Sequence, residues 1–202
     1  MEIINDTDYT GANLRNIEII GKKLKGIRFI RCSFVNGKMD DISTIGCSFV
    51  ECDFTQSSLN SSSHEQSAFS NCRFTGTNLF TSTFRDCKMT GSSFESAKMI
   101  GINIHGGDWS YTDLSRQNLK GINFRQTRLV ETDFFGCNLT NADFRDADMT
   151  NAVFAQAKLS GANLRGAKTS GVDYRNIDLR GVLLDIGQAI EVASAFGAIV
   201  EL

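Results

Sequence analysis

A large apolar side chain recurs at every fifth position from Ile4 to Leu184, with Thr44, His64 and Thr169 as the misfits. Leu14, Leu24, Phe29, Phe34, Phe49, Phe54, Phe69, Phe74, Phe94, Phe124, Phe134, Phe144, Phe154 and Leu164 hold this central position. Two residues earlier stands Ala, Cys, Ser, Thr, Val or Ile, with Glu2, Lys22 and Gln117 the main exceptions. Fourteen of the 18 glycines fall two residues after the central one. No insertion breaks the frame.

A period of five is neither helical nor that of a plain strand. It has a physical solution. Residues two apart on a strand point the same way, so the small and the central residue face inward while the one between faces out. The next two residues turn a corner, where glycine supplies permissive dihedrals. Four corners close a square coil of twenty residues, and coils stack through parallel-strand hydrogen bonds. The expected fold is all-β, a right-handed quadrilateral β-helix of roughly nine coils, about 43 Å long at about 4.8 Å per coil. It occupies residues 1–184. The frame then ends, and 185–202 forms a second region.

The units ADFRD ADMTN AVFAQ AKLSG ANLRG, beginning at Ala142, resemble the pentapeptide-repeat family pattern A-(D/N)-L-x-x, and the likeness runs along about nine-tenths of the chain. The tail, Leu179-Arg180-Gly181 followed by Asp185-Ile186-Gly187-Gln188-Ala189 and a short apolar helix, resembles the mycobacterial fluoroquinolone-resistance and Qnr branch. That resemblance implies a homodimer joined through C-terminal helices. It also implies a non-enzymatic role: binding DNA gyrase or topoisomerase IV and protecting it from quinolones or natural gyrase poisons, partly by mimicking DNA. A structural or scaffolding repeat protein with another protein partner is the alternative, because this fold does not fix function.

Asp185 can cap a helix beginning near Ile186, and Gly197 can end it. Ile186, Ala189, Ile190, Ala193 and Phe196 follow helical spacing, and Ile199, Val200 and Leu202 extend the apolar surface. An open solenoid end templates association unless covered. Capping and dimerisation both answer that need, and the resemblance favours a dimer interface of Ile186, Ala189, Ile190, Ala193, Phe196 and Ile199.

Charge is the weak point of mimicry. Duplex DNA carries roughly 25 negative charges over 43 Å. This chain has 23 acidic and 21 basic residues, a net charge of −2. Arg85, Arg125, Arg145 and Arg165 even stack in one column. The strongest acidic cluster is Glu131, Asp133, Asp143, Asp146 and Asp148, and these form the candidate partner-binding surface. For Asp133, Asp143 and Asp148 the plainer explanation is that the repeat uses Asp and Asn on its solvated side.

Nothing points to catalysis: there is no nucleophile elbow, dinucleotide fingerprint or metal-ligand spacing, and no cofactor is expected. The six cysteines all take the small inward position, which suits core residues better than ligands. Cys32, Cys52 and Cys72, twenty apart, fall within disulfide range by spacing, yet free thiols are expected in a chain that reads as cytoplasmic, with no signal peptide or spanning segment and no membrane or direct nucleic-acid partner. Ser57–Ser67 is Ser-rich and reads as a loosened side, a candidate bulging loop. Outward Ile20, Ile30, Val35, Ile45 and Val50 read either as single exposed strand residues or as a partner patch. Phe80 and Ile100 predict a small exposed apolar patch, and Phe135 an outward aromatic on another face. Trp109, large for its central position, predicts a widened coil, with Tyr111 at a corner beside it.

Overall fold

A computed structural model describes residues 3–201; Met1, Glu2 and Leu202 lie outside the described residues. The chain winds as a β-solenoid whose register advances twenty residues per coil. One parallel sheet runs β1 (Asp8–Thr10), β3 (Arg28–Ile30), β5 (Ser48–Val50) and β7 (Ala68–Ser70). A second runs β2 (Lys23–Lys25), β4 (Ser43–Ile45), β6 (Ser63–Glu65), β8 (Thr83–Arg85) and β9 (Asn103–His105). Single parallel bridges continue the ladder to Asn163↔Leu183. A 3₁₀ turn at Tyr174–Asn176 and helix α1 (Ile186–Ala195) close the chain.

The corners explain the glycines. The second corner residue adopts left-handed backbone at glycines such as Gly91 (φ 71) and also at Asn, Asp, Gln and Ser, as at Asn151 (φ 57). Gly107 is different, because it stands at an inward position. There a Cβ would meet the Cys87 carbonyl oxygen at 2.2 Å, so only glycine fits.

Inside, central residues stack coil on coil. Phe34, Phe54, Phe74 and Phe94 form a column with ring centroids 4.9, 4.9 and 4.8 Å apart and nearly parallel planes. Phe29, Phe49 and Phe69 form another at 5.0 and 4.6 Å. The small inward residues have a second task. Where a Ser, Thr or Cys stands at the inward position one coil further on, it can donate to the carbonyl of a central residue. Thr77 Oγ1 reaches Phe54 O at 2.7 Å, Ser92 Oγ reaches Phe69 O at 2.8 Å, and Cys137 Sγ reaches Leu114 O at 2.9 Å. The six cysteines are buried and free. Burial pushes the Cys87 and Cys137 thiols up to about 11 and 12, so they are unreactive.

Two expectations are corrected. Ser57–Ser67 does not loosen or bulge. Ser57, Ser62 and Ser67 are buried, and Ser63–Glu65 is strand β6 in register between β4 and β8. The serines are there because the core is polar at this level. His64 Nδ1 lies 2.8 Å from Thr44 Oγ1 and Nε2 2.9 Å from Ser62 Oγ, and the same hydroxyls lie 3.0 Å from Ser67 Oγ and 3.2 Å from Ser82 Oγ; the neutral imidazole donates from one nitrogen and accepts at the other. A buried polar side chain is tolerated when it is fully paired. Val35 is buried rather than outward, flanked one coil away by Arg15 and Thr55, and Ile30 and Val50 are half-buried. The Trp109 side chain is taken into the core. It is fully buried, stacked on Phe94 (5.8 Å) and edge-on to Phe84 (5.6 Å).

His64 makes stability depend on pH. Burial lowers its pKa to about 3, whereas the unfolded chain protonates near 6.5. Below pH 6.5 the unfolded state therefore binds the extra proton. The contribution is undiminished above that pH and falls by about 1.4 kcal/mol per unit down to about pH 3. His64→Phe leaves Thr44 bonded to Ser67 and Ser62 to Ser82, and it should remove this slope. Urea melts at pH 7 and pH 5 should show the wild type losing about 2 kcal/mol more than the variant. Equal losses would show that His64 is not held neutral.

Candidate functional site

Two surfaces stand out: the charged sides of the C-terminal half, and the end carrying α1. On the sides, the twenty-residue register decides which charges face each other. One column reads Lys88, Asp108, Arg128, Asp148, Lys168, each residue bridged to the next. Opposite charges alternate along it, with Arg128–Asp108 at 3.3 Å and Lys168–Asp148 at 3.8 Å.

The five candidate acids fall on different sides of this rod. Asp143, Asp148 and Asp133 lie on three successive faces. Asp146 and Glu131 sit at the corners between them, both in left-handed backbone (φ 60 and 54). Three are paired: Asp143 with Arg145 at 2.6 Å, Asp146 with Arg125 at 3.7 Å and Asp148 with Lys168. The Arg145 guanidinium holds the Asp143 carboxyl below the usual range. At Asp148 partial burial pushes upward, but the Thr150 hydroxyl and N–H with Lys168 and Arg128 outweigh it. Asp133 caps its own turn, accepting from Phe135 N–H at 2.8 Å. No continuous acidic face results. Phe135 itself is half-buried beneath the Arg116 guanidinium, 5.7 Å from its ring centroid. Phe80 and Ile100 are exposed one coil apart.

The helical end is more coherent. Asp185 and Gln188 form a reciprocal capping box, Gln188 N–H donating to Asp185 Oδ1 (3.0 Å) and Asp185 N–H to Gln188 Oε1 (3.1 Å). Asp185 Oδ2 also accepts from Gly166 N–H of the last coil at 2.8 Å. The Gly166 and Gln188 N–H groups hold its carboxyl below the usual range. Gln188 is buried, and its amide donates to the Leu164 and Ala167 carbonyls. Glu191 accepts from Thr169 Oγ1 at 2.6 Å, which explains a polar residue at that central position. Val192 and Ala195 pack on the core.

The apolar residues expected at an interface lie mostly on the other side of α1. Ile186 is 80 % exposed, Phe196 66 % and Ile199 92 %; Ala189 is exposed, and Ile190 and Ala193 are intermediate. Sequence reasoning missed Gln188 as the anchor of the helix. Its signal was the D-x-x-Q spacing at the helix start.

Among the described residues no cluster of His, Cys, Asp and Glu could hold a metal ion, and no helix is long and apolar enough to cross a membrane. The molecule is a repeat solenoid whose distinctive features are its charged sides and its helical end. Residues 46–124 match the sequence model of the pentapeptide repeat region, and 110–146, 127–166 and 147–185 match that of pentapeptide repeats in eight copies. The chain belongs to the pentapeptide-repeat family. No curated protein matches it by sequence. Among solved structures, a trypsin-treated variant of QnrB1, a plasmid-mediated fluoroquinolone resistance protein, superposes with a TM-score of 0.71 at 21% identity, covering 98% of this chain and 99% of that one. Full-length QnrB1 gives 0.63 at 18% identity over 96% and 99%. At such identity the likeness is one of fold.

Gln188→Leu leaves two buried carbonyls with one partner fewer and breaks the capping box. It should destabilise the helix end by about 1–3 kcal/mol. Hydrogen exchange should rise in α1 while the middle coils are unchanged. An unaltered α1 would show that apolar packing alone holds it.

Proposed function

We propose that this protein binds a type II topoisomerase, DNA gyrase with topoisomerase IV as a second target, and protects it from quinolones or natural gyrase poisons. The observation that carries this reading is a solenoid matching QnrB1 over nearly the full length of both chains, ending in a helix with an uncovered apolar side. Two copies meet through Ile186, Ala189, Ile190, Ala193, Phe196 and Ile199, which covers that side and doubles the rod. The protein acts without catalysis, inside the cell.

The ion pairs bear on how it mimics DNA. With Asp143, Asp146 and Asp148 beside cations, the rod presents width and length more than negative charge. Contacts with the enzyme are then local, and Glu131, Asp133, Asp146 and Asp148 are the acids to test. The alternating charge column equally suits a scaffold for some other protein, which is the second reading.

Purified gyrase supercoiling, with and without a fluoroquinolone, should decide. Added protein should restore supercoiling or lower poison-stabilised cleavage. Phe196→Glu with Ile199→Glu should turn a dimer into a folded monomer by light scattering and weaken protection about tenfold or more, as loss of a buried apolar anchor does. A folded dimer that neither rescues nor inhibits gyrase would leave the scaffold reading.

A further inference from the structure

Away from the C-terminal turn, the backbone ladder is interrupted at one level among the described residues. In an ordinary coil the residues of each wall donate to carbonyls of the next. Gly76, Leu79, Thr81 and Asp86 N–H donate to Glu95, Lys98, Ile100 and His105. Arg116, Leu119, Gly121, Phe124 and Gln126 do the same toward Phe135, Asn138, Thr140, Asp143 and Arg145. Between these two sets the equivalent bonds are missing. Ser96, Met99, Gly101, Ile104 and Gly106 N–H do not reach the next coil, and Asn118 and Asn123 N–H do not reach back. The bridges Lys98–Asn118 and Asn103–Asn123 are absent as well, although 78↔98, 118↔138, 83↔103 and 123↔143 are formed.

The gap is open space. Clefts of about 290 Å³ and 440 Å³ lie between the coils, lined by Met99, Ile104, Leu119 and Ile122 in one and by Ala97, Met99 and Gln117 in the other. It spans only two of the four faces. On the other two, Lys88↔Asp108↔Arg128 and Ser93↔Asp113↔Asp133 run unbroken, with Trp109 N–H to Arg128 O at 2.7 Å and Leu114 N–H to Asp133 O at 3.0 Å. The opening is therefore a wedge, joined along residues 107–116.

The sequence supplies a cause. Coils about 4.8 Å apart leave room for small residues at the inward position. Here Ile102 lies in register with Ile122, and Gln117 sits at the same type of position, its Nε2 reaching Phe94 O at 2.7 Å across the coils. Two of the phenylalanine columns are also interrupted. Ile104 separates Phe84 from Phe124, and Leu114 separates Phe94 from Phe134.

We propose that this level is a flexible joint. Two stiff segments, the coils up to Glu95 and those from Gln126 onward, rock about the intact 107–116 side. The wedge opens and closes, so the rod adjusts its bend when it lies along a partner. The missing bonds make this the least costly place to deform, since the remaining ladder must break bonds to bend. The joint does not depend on which partner is bound.

Hydrogen exchange on the full-length protein is the first test. Peptides covering 96–106 and 117–124 should exchange about 100-fold faster than those covering 76–86 and 136–146. A cross-link then separates rocking from a fixed slot. Asn103 and Asn123 face outward on opposite lips of the wedge, and the native thiols are buried. Asn103→Cys with Asn123→Cys should oxidise when the wedge closes and bring both stretches to their neighbours' exchange rate. Thr83→Cys with Asn103→Cys, across an intact ladder, is the control. Equal protection in the unmodified chain would overturn the proposal, and so would a control that cross-links while the lip pair never does.

Discussion

The parallel ladder between coils, with its fixed rise of about 4.8 Å, is the constraint from which the rest follows. It makes every inward side chain occupy a slab one ring thick. Flat aromatic rings fill such a slab by stacking face to face, which is why the Phe34 to Phe94 column keeps spacings of 4.8 to 4.9 Å. The same constraint leaves the central carbonyls pointing into the core. Their in-turn partner is an N–H three residues on, as Ser57 N–H is for Phe54 O. The hydroxyls and thiols of the small inward residues supply another. Ser, Thr and Cys recur there because they are small and can donate. Alanine satisfies only the first requirement.

This dual demand accounts for what the sequence could and could not reveal. The coil, its four corners and its direction of stacking were legible because one period sets them all. The capped helix was legible from Asp185 and Gly197, since caps act within a turn of chain. Ser57–Ser67 misled because polarity usually marks surface. Here the partners outside the segment, Thr44 and Ser82, lie about a coil away and are visible only once the register is known. Val35 misled for the same reason, its cover coming from residues one coil on either side.

The candidate acids were hard to read for a different reason. Sequence proximity gathers Glu131 to Asp148 into one cluster, but a square coil turns a corner every five residues. It distributes Asp133, Asp143 and Asp148 over three faces. Across the ladder, the neighbours of a wall residue are those twenty away. For Asp148 those residues are Arg128 and Lys168, both cations. Exposed pairs of this kind contribute little stability, about 0–1 kcal/mol each. Their effect is on the field, since alternating signs along a column cancel within a Debye length, about 8 Å in physiological salt.

A rod with so little net field cannot attract a basic groove over distance as a polyanion does, so the proposed binding to an enzyme groove rests on close fit. Close fit along an extended surface is demanding for a rigid body, because an error in curvature grows along its length. A single interrupted level, placed near the middle of the repeat, relaxes that demand while leaving both halves stiff. Ile102, Gln117 and Ile122 look like flaws in an otherwise regular core. In the proposed joint, the same three residues hold the coils apart and leave room for the rod to adapt its bend.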